Sequence, residues 1–175
     1  MSGAVTVRRV GAHEAFAVVE GLADVLIDCV DSGASVSFLP PLSRDKALAF
    51  WRGVAEGVVN ADRVLFVAED DTGRIVGTVQ LVAAQSENQP HRADVAKMLV
   101  RSDARRRGIA QQLLDAIDEA ARASGKSVLV LDTFTGSDAE RLYERAGWQR
   151  VGIIPKFALT GKGGYGATTY FYKLL

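Results

Sequence analysis

The stretch "MLVRSDARRRGIAQQLLDAI", residues 98–117, constrains the fold more than any other part of the chain. An apolar run that reads as a strand passes through three consecutive arginines and a glycine into a helix, where Leu113, Leu114 and Ile117 share one face. Like charges in a row repel one another and add nothing to a core, so Arg105, Arg106 and Arg107 call for an outside counter-charge. A helix start offers up to four free backbone N–H groups and a partial positive charge, and both attract anions. Gly108 removes the side chain where a ligand has to approach the backbone, and Ala110 obstructs it little. The arginines add charge-assisted hydrogen bonds of about 1.5–3 kcal/mol each. Strand, cationic turn and helix start together suit a pyrophosphate; the plainer alternative is a solvated charge run ahead of a helix.

Composition favours a small anionic ligand over a polymer. Lys plus Arg equals Asp plus Glu at 21 each, without the basic excess of a general nucleic-acid binder. The chain has 175 residues, 48% of them hydrophobic, which predicts one domain over residues 1–175 built on one core. A single cysteine excludes an intrachain disulfide and fits a reducing compartment. In the apolar run "ADVLIDCV" that cysteine, Cys29, reads as a buried structural thiol. No run approaches the ~20 apolar residues of a membrane span, and "MSGAVTVRRVGAHEAF" lacks a signal peptide's apolar stretch. One cysteine with the isolated His13 and His91 does not make a closed metal site. The expectation is a cytoplasmic, metal-free protein with neither membrane nor nucleic acid as partner; a homodimer stays open.

Periodicity predicts the order β-α-α-β-β-β-α-β-α-β-β. "VTVRRV" alternates as a strand, and Phe16, Val19, Ala23, Leu26 and Val30 recur at helical spacing from Ala12 to Val30. Ser43 caps a second helix through Val58. "RVLFVAE" and "RIVGTVQLVAA" flank "DDTG" as a hairpin, and "RADVAKMLV" extends the meander. A helix from Ala110 stops at Gly125, "SVLVLDTF" is a buried strand, and "SDAERLYERAG" is a short helix capped by Ser137 or Asp138. "WQRVGIIP" and "TTYFYKLL" close the chain as strands.

The six residues "RRRGIA", with Arg105, Gly108 and Ala110, resemble the acetyl-CoA pyrophosphate loop Q/R-x-x-G-x-G/A of the GNAT acetyltransferases. The segment "LDTF…AERLYERAGWQRVG" resembles that family's second signature, and the resemblance spans most of the chain. Within the family it is nearest the tabtoxin resistance type, echoed by Gly33–Val36 and by Leu131–Thr133. The chain departs in having Ala110 as the third small residue, and in lacking an asparagine in "TGSDAE", where Ser137 stands in to contact the pantetheine arm. The resemblance implies an α/β (α+β) GNAT fold: one mixed, mostly antiparallel twisted sheet of about seven strands, helices on both faces, and a splayed central parallel pair. It implies acetyl-CoA as cosubstrate, held by Arg105, Arg106, Arg107, Gly108, Ile109 and Ala110 and by backbone groups of Met98, Leu99 and Val100.

Acetyl transfer to an amine raises two proton problems. A primary alkylamine of pKa ~10.4 is free base only to about one part in 10³ at pH 7, and the departing thiolate gains from a donor. By the resemblance Tyr143 is that donor; the alternative is a tyrosine packed on the sheet with a wet hydroxyl. Asp132 ends the strand "VLVLD", where parallel strands open onto ligands; the tabtoxin resistance type has an aspartate at the corresponding place, and by that resemblance Asp132 is the first candidate to bind or deprotonate the amine, with a turn carboxylate as the rival reading. Asp94 is the second candidate base, placed by alternation on one face with Ala96, Met98 and Val100, against a surface pair with Arg92. The loop "TGKGGYG" has no Ser or Thr after its Lys and reads as a hairpin tip, while Phe38, Phe157 and Tyr165 read as wall residues and Trp51 as core. The expected activity is acetyl transfer to a small, amino-acid-like or antibiotic-like amine. A protein or peptide N-acetyltransferase and a non-catalytic acyl-CoA sensor remain the alternatives.

Overall fold

The computed structural model describes residues 3–175. The elements are β1 (Thr6–Arg9), α1 (Val19–Asp31), α2 (Arg44–Val59), β2 (Arg63–Glu69), β3 (Ile75–Ala83), β4 (Arg92–Val100), α3 (Ile109–Ala123), β5 (Val128–Phe134), α4 (Asp138–Arg145), β6 (Gln149–Leu159) and β7 (Tyr165–Leu174). They form a seven-stranded sheet in the order β1-β2-β3-β4-β5-β7-β6. Every neighbouring pair is antiparallel except β4 and β5. The mixed, mostly antiparallel architecture expected from the sequence is the one observed.

Strand alternation sorts the apolar residues into two layers. On β2, Leu65 and Val67 pack into a cluster with α1 and α2, while Phe66 and Ala68 pack into a second with α3 and Tyr143. The helices therefore cover opposite faces of one sheet. At the hairpin, the Asp70 carboxylate accepts from the N–H groups of Thr72 (3.0 Å) and Arg74 (3.1 Å), and Gly73 takes φ +80°. Ser43 caps α2 as expected, its hydroxyl accepting from Lys46 N–H at 3.3 Å.

Three boundaries differ from the expectation. The helix expected from Ala12 starts at Val19, after a 3-10 turn over Ala12–Glu14. Glu14 folds back to accept from Gly11 N–H and from Arg8, which tightens that turn, and Phe16 is exposed instead of joining the core. At the other end β6 runs past Pro155 to Leu159, and β7 starts at Tyr165. Proline is tolerated there because β6 is an edge strand, and a register shift between Ile154 and Ala158 absorbs the misfit.

Two irregularities in β4 position the cleft. Its register against β3 shifts between Thr78 and Gln80, with Lys97 at φ +50°. This bulge reverses the alternation: Val95 packs with the α3 cluster, whereas Leu99 packs with the α1–α2 cluster. Pairing with β5 covers only Arg92–Val128, Ala93–Leu129 and Asp94–Val130. Beyond Asp94 the two strands part, and the expected splay is present.

Candidate active site

The arginine turn is built from outside. Asp28 of α1 accepts from Ser102 N–H (2.7 Å) and from its hydroxyl (2.8 Å), and Asp103 pairs with Arg101 (3.3 Å) and Arg74 (3.0 Å). Arg106 (φ +61°) and Gly108 (φ +75°) then turn the chain through the left-handed region into α3. No side chain caps α3 and its first turn holds no acidic residue, so its leading N–H groups lack the usual protein acceptor. A Cβ on Gly108 would meet nothing within 4 Å, which leaves the backbone open to a ligand.

That helix start lies on a cleft of about 1040 Å³. The freed edge of β4 forms one wall and Asp132, Thr133 and Phe134 of β5 form the other; Ser32–Ser37 also line it. Arg105, Arg106, Gly108, Ile109, Ala110, Met98, Leu99, Val100, Ser137, Tyr143 and Asp132 all line it. The cationic turn, the splayed strand and the first candidates for proton transfer, Asp132 and Tyr143, thus line one space.

Tyr143 is 5% exposed and packs against Trp148 and Phe171, with ring centroids 5.8 and 6.0 Å away. Burial, reinforced by the Asp132 charge, pushes its phenol well above the ordinary value and keeps it protonated. Asp132 is exposed and accepts a hydrogen bond from the buried Thr168 hydroxyl at 2.7 Å. Ser137 caps α4 by accepting from Glu140 N–H at 3.2 Å. The buried Glu140 carboxylate in turn accepts from Gly136 N–H, from the Thr169 hydroxyl (2.7 Å) and from Arg150 (2.6 Å). Desolvation opposes its ionisation, but these donors together hold its pKa below the ordinary value.

Three expectations are corrected. The Arg107 guanidinium leaves the cleft and donates to Gly3 C=O at 2.6 Å, because Arg106 turns the chain between the two neighbouring arginines. Of the Val100 backbone groups expected to meet the pantetheine arm, the carbonyl already accepts from Arg105 Nε (3.2 Å) and from the Cys29 thiol (3.4 Å). Asp94 does not share a face with Met98 and Val100: the bulge at Lys97 intervenes, and Asp94 pairs with Arg92 at 2.7 Å away from the cleft lining. Among the anticipated wall residues, Phe157 lines the cleft, Phe38 packs on Phe50 at 5.3 Å, and Tyr165 is exposed. Trp51 is fully buried core. The sequence reading missed Lys97, Thr168 and Glu140. A lone cation in the apolar "VAKMLV" was the available signal for the first.

Residues 61–150, just over half of the chain, match the acetyltransferase (GNAT) domain. The chain is 39% identical over 113 residues to the "Uncharacterized N-acetyltransferase in hisH-hisA intergenic region" of Azospirillum brasilense, covering 63% of this chain and 65% of that protein. It is 36% identical over 90 residues to the N-acetylaspartate synthetase of Danio rerio, covering 51% of this chain and 31% of that protein. The chain thus spans less than two thirds of either relative. The solved structure of yncA from Salmonella typhimurium, with its cofactor acetyl-CoA, superposes with a TM-score of 0.77 at 17% identity, over 98% of this chain and 94% of that one. The chain belongs to the GNAT acetyltransferase family.

The donor set suits acetyl-CoA. Uncapped amides, an open Gly108 and the Arg105 and Arg106 side chains fit a diphosphate, and the unpaired edge of β4 fits an amide-bearing arm. Among the described residues no cluster of His, Cys, Asp or Glu suits a metal, and no helix is long and apolar enough to cross a membrane.

Proposed function

We propose that this chain is an N-acetyltransferase that passes the acetyl group of acetyl-CoA directly to the primary amine of a small molecule. The observation that carries the reading is the convergence of Asp132, Tyr143 and the uncapped start of α3 on one cleft opened by the β4–β5 splay. Acetyl-CoA supplies the activated acyl group and a thiolate leaving group. The amides of Ile109 and Ala110 with Arg105 and Arg106 hold its diphosphate, and the freed edge of β4 and Ser137 orient its arm. Asp132 attracts the acceptor's ammonium and takes the proton it sheds. Tyr143 is neutral and holds a proton for the departing sulfur; burial raises its pKa and makes it a reluctant acid, so the transfer waits on the negative charge that develops on the sulfur. The ammonium sheds two protons on its way to an amide. Asp132 takes one and passes it to water, and the nitrogen loses the other as the tetrahedral intermediate collapses. Tyr143, having given its own proton to the thiolate, is reprotonated, so one proton in all is released to solvent.

The name of the N-acetylaspartate synthetase relative supports an amino-acid-like molecule. The test is a panel of amines with acetyl-CoA, scored by release of free thiol. Turnover that Tyr143→Phe abolishes while acetyl-CoA binding persists supports the reading. Binding without thiol release from any amine makes the chain an acyl-CoA sensor instead.

A further inference from the structure

The acceptor side of the cleft holds a cation that the acetyl-transfer reading leaves unused. Lys97 sits at the bulge of β4 with φ +50°, which turns its side chain towards the α1–α2 layer. Its ammonium lies 5.6 Å from the Phe50 ring centroid and donates to the Ser37 hydroxyl at 3.2 Å. A lysine ammonium has three donors. Ser37 takes one, and among the described residues no other acceptor is bonded to it. Lys97 lines the cleft from β4, and Asp132 lines it from β5. The aspartate acts on the ammonium through space, without a hydrogen bond between them. Two opposite charges on facing walls, each with bonding capacity left over, complement a molecule that carries both charges itself.

We infer that Lys97 binds a carboxylate of the acceptor, so that the preferred acceptor is a zwitterion, an α-amino acid or close analogue whose amine lies at Asp132. The inference rests on the small-amine reading above and gives it a specific recognition element. Desolvation lowers the Lys97 pKa, and a bound anion reverses that effect by favouring the charged ammonium. The Ser37 contact alone does not explain the residue, because a neutral donor would hold that hydroxyl equally well. The Phe50 ring calls for a cation, and the free donors point to an anion.

The test titrates the CoA-loaded protein with the standard L-amino acids and their carboxamides, comparing wild type, Lys97→Met and Lys97→Arg by calorimetry. At least one amino acid binds wild type about tenfold or more tightly than its amide. In Lys97→Met that ratio falls to about one, Lys97→Arg keeps part of it, and the CoA-induced rise in melting temperature is the same in all three. The inference is overturned if no amino acid outbinds its amide, if the ratio survives Lys97→Met, or if that variant weakens both ligands equally. Thiol release with acetyl-CoA separates the two readings. Carboxylate-dependent binding without thiol release leaves Lys97 assigned and removes the transfer reading. Acetylation of amides and amino acids alike does the reverse.

Discussion

Tyr143 and Asp132 have opposite surroundings in one cleft: the phenol is sealed between Trp148 and Phe171, and the carboxylate is exposed with one hydroxyl donor. Burial makes the phenol a poor anion but a dependable proton holder. Because its folded pKa lies above the reference 10.0, the pH–rate profile carries no limb from Tyr143 at or below that pH. The same sign governs stability, since the contribution of the buried neutral phenol is complete below about pH 10 and is lost as pH rises through the folded pKa. Tyr143→Phe lowers kcat about 10²-fold or more while acetyl-CoA affinity changes little, as thiol release and calorimetry will show. Gly108→Ala has no clash to relieve, but it places a side chain at φ +75°, at a cost of about 1–2 kcal/mol. That variant melts several degrees lower and binds acetyl-CoA more weakly, and an unchanged affinity would contradict a backbone-held diphosphate. The sequence marks this residue because a glycine at the mouth of a helix lets a ligand approach the backbone. It could not separate Arg107 from Arg105, since identical letters take their directions from a backbone turn at Arg106.

The short helix α4 is held by Tyr143, which packs in the α3-side cluster, and by the buried Glu140. Its burial is slight outside Glu140 and Tyr143, yet Glu140 links the loop at Gly136 to Thr169 on β7 and Arg150 on β6. Its folded pKa is depressed, so the stability it supplies is present above the ordinary value of 4.5 and is lost as pH falls through the folded value. Glu140→Gln therefore flattens the acid limb of a melting-temperature profile below about pH 4.5. At pH 7 it costs about 1–2 kcal/mol, from the weakened hydrogen bonds to Gly136 and Thr169, because the half-exposed Arg150 is screened by solvent and keeps Glu144 as a partner. Elements of this kind were legible wherever period and punctuation agreed, as in the "DDTG" hairpin, the Ser43 cap and the α3 stripe. The bulge at Lys97 was not, because a single extra residue in a nearly continuous apolar run leaves no mark in the alternation. Asp94 was misplaced for that reason, and β6 was cut short because Pro155 reads as a stop unless the strand is known to be an edge.

The whole sheet is two blocks, β1–β4 and β5–β7, joined by three residue pairs of parallel ladder. A ligand that lies along the unpaired edges and docks on α3 binds the folded form alone. At a hundredfold excess over its Kd, CoA adds about 2.7 kcal/mol, read as a rise in melting temperature. Amide exchange at Val95–Val100 slows with it, more than exchange in β2 or β3; uniform slowing would place CoA elsewhere. The gap between the blocks has a further consequence. Proteases attack a folded chain where it opens locally, and the three-pair seam between the blocks borders the cleft. On the proposed reading acetyl-CoA fills that cleft, so the lifetime of the chain under limited proteolysis lengthens as the ligand is added.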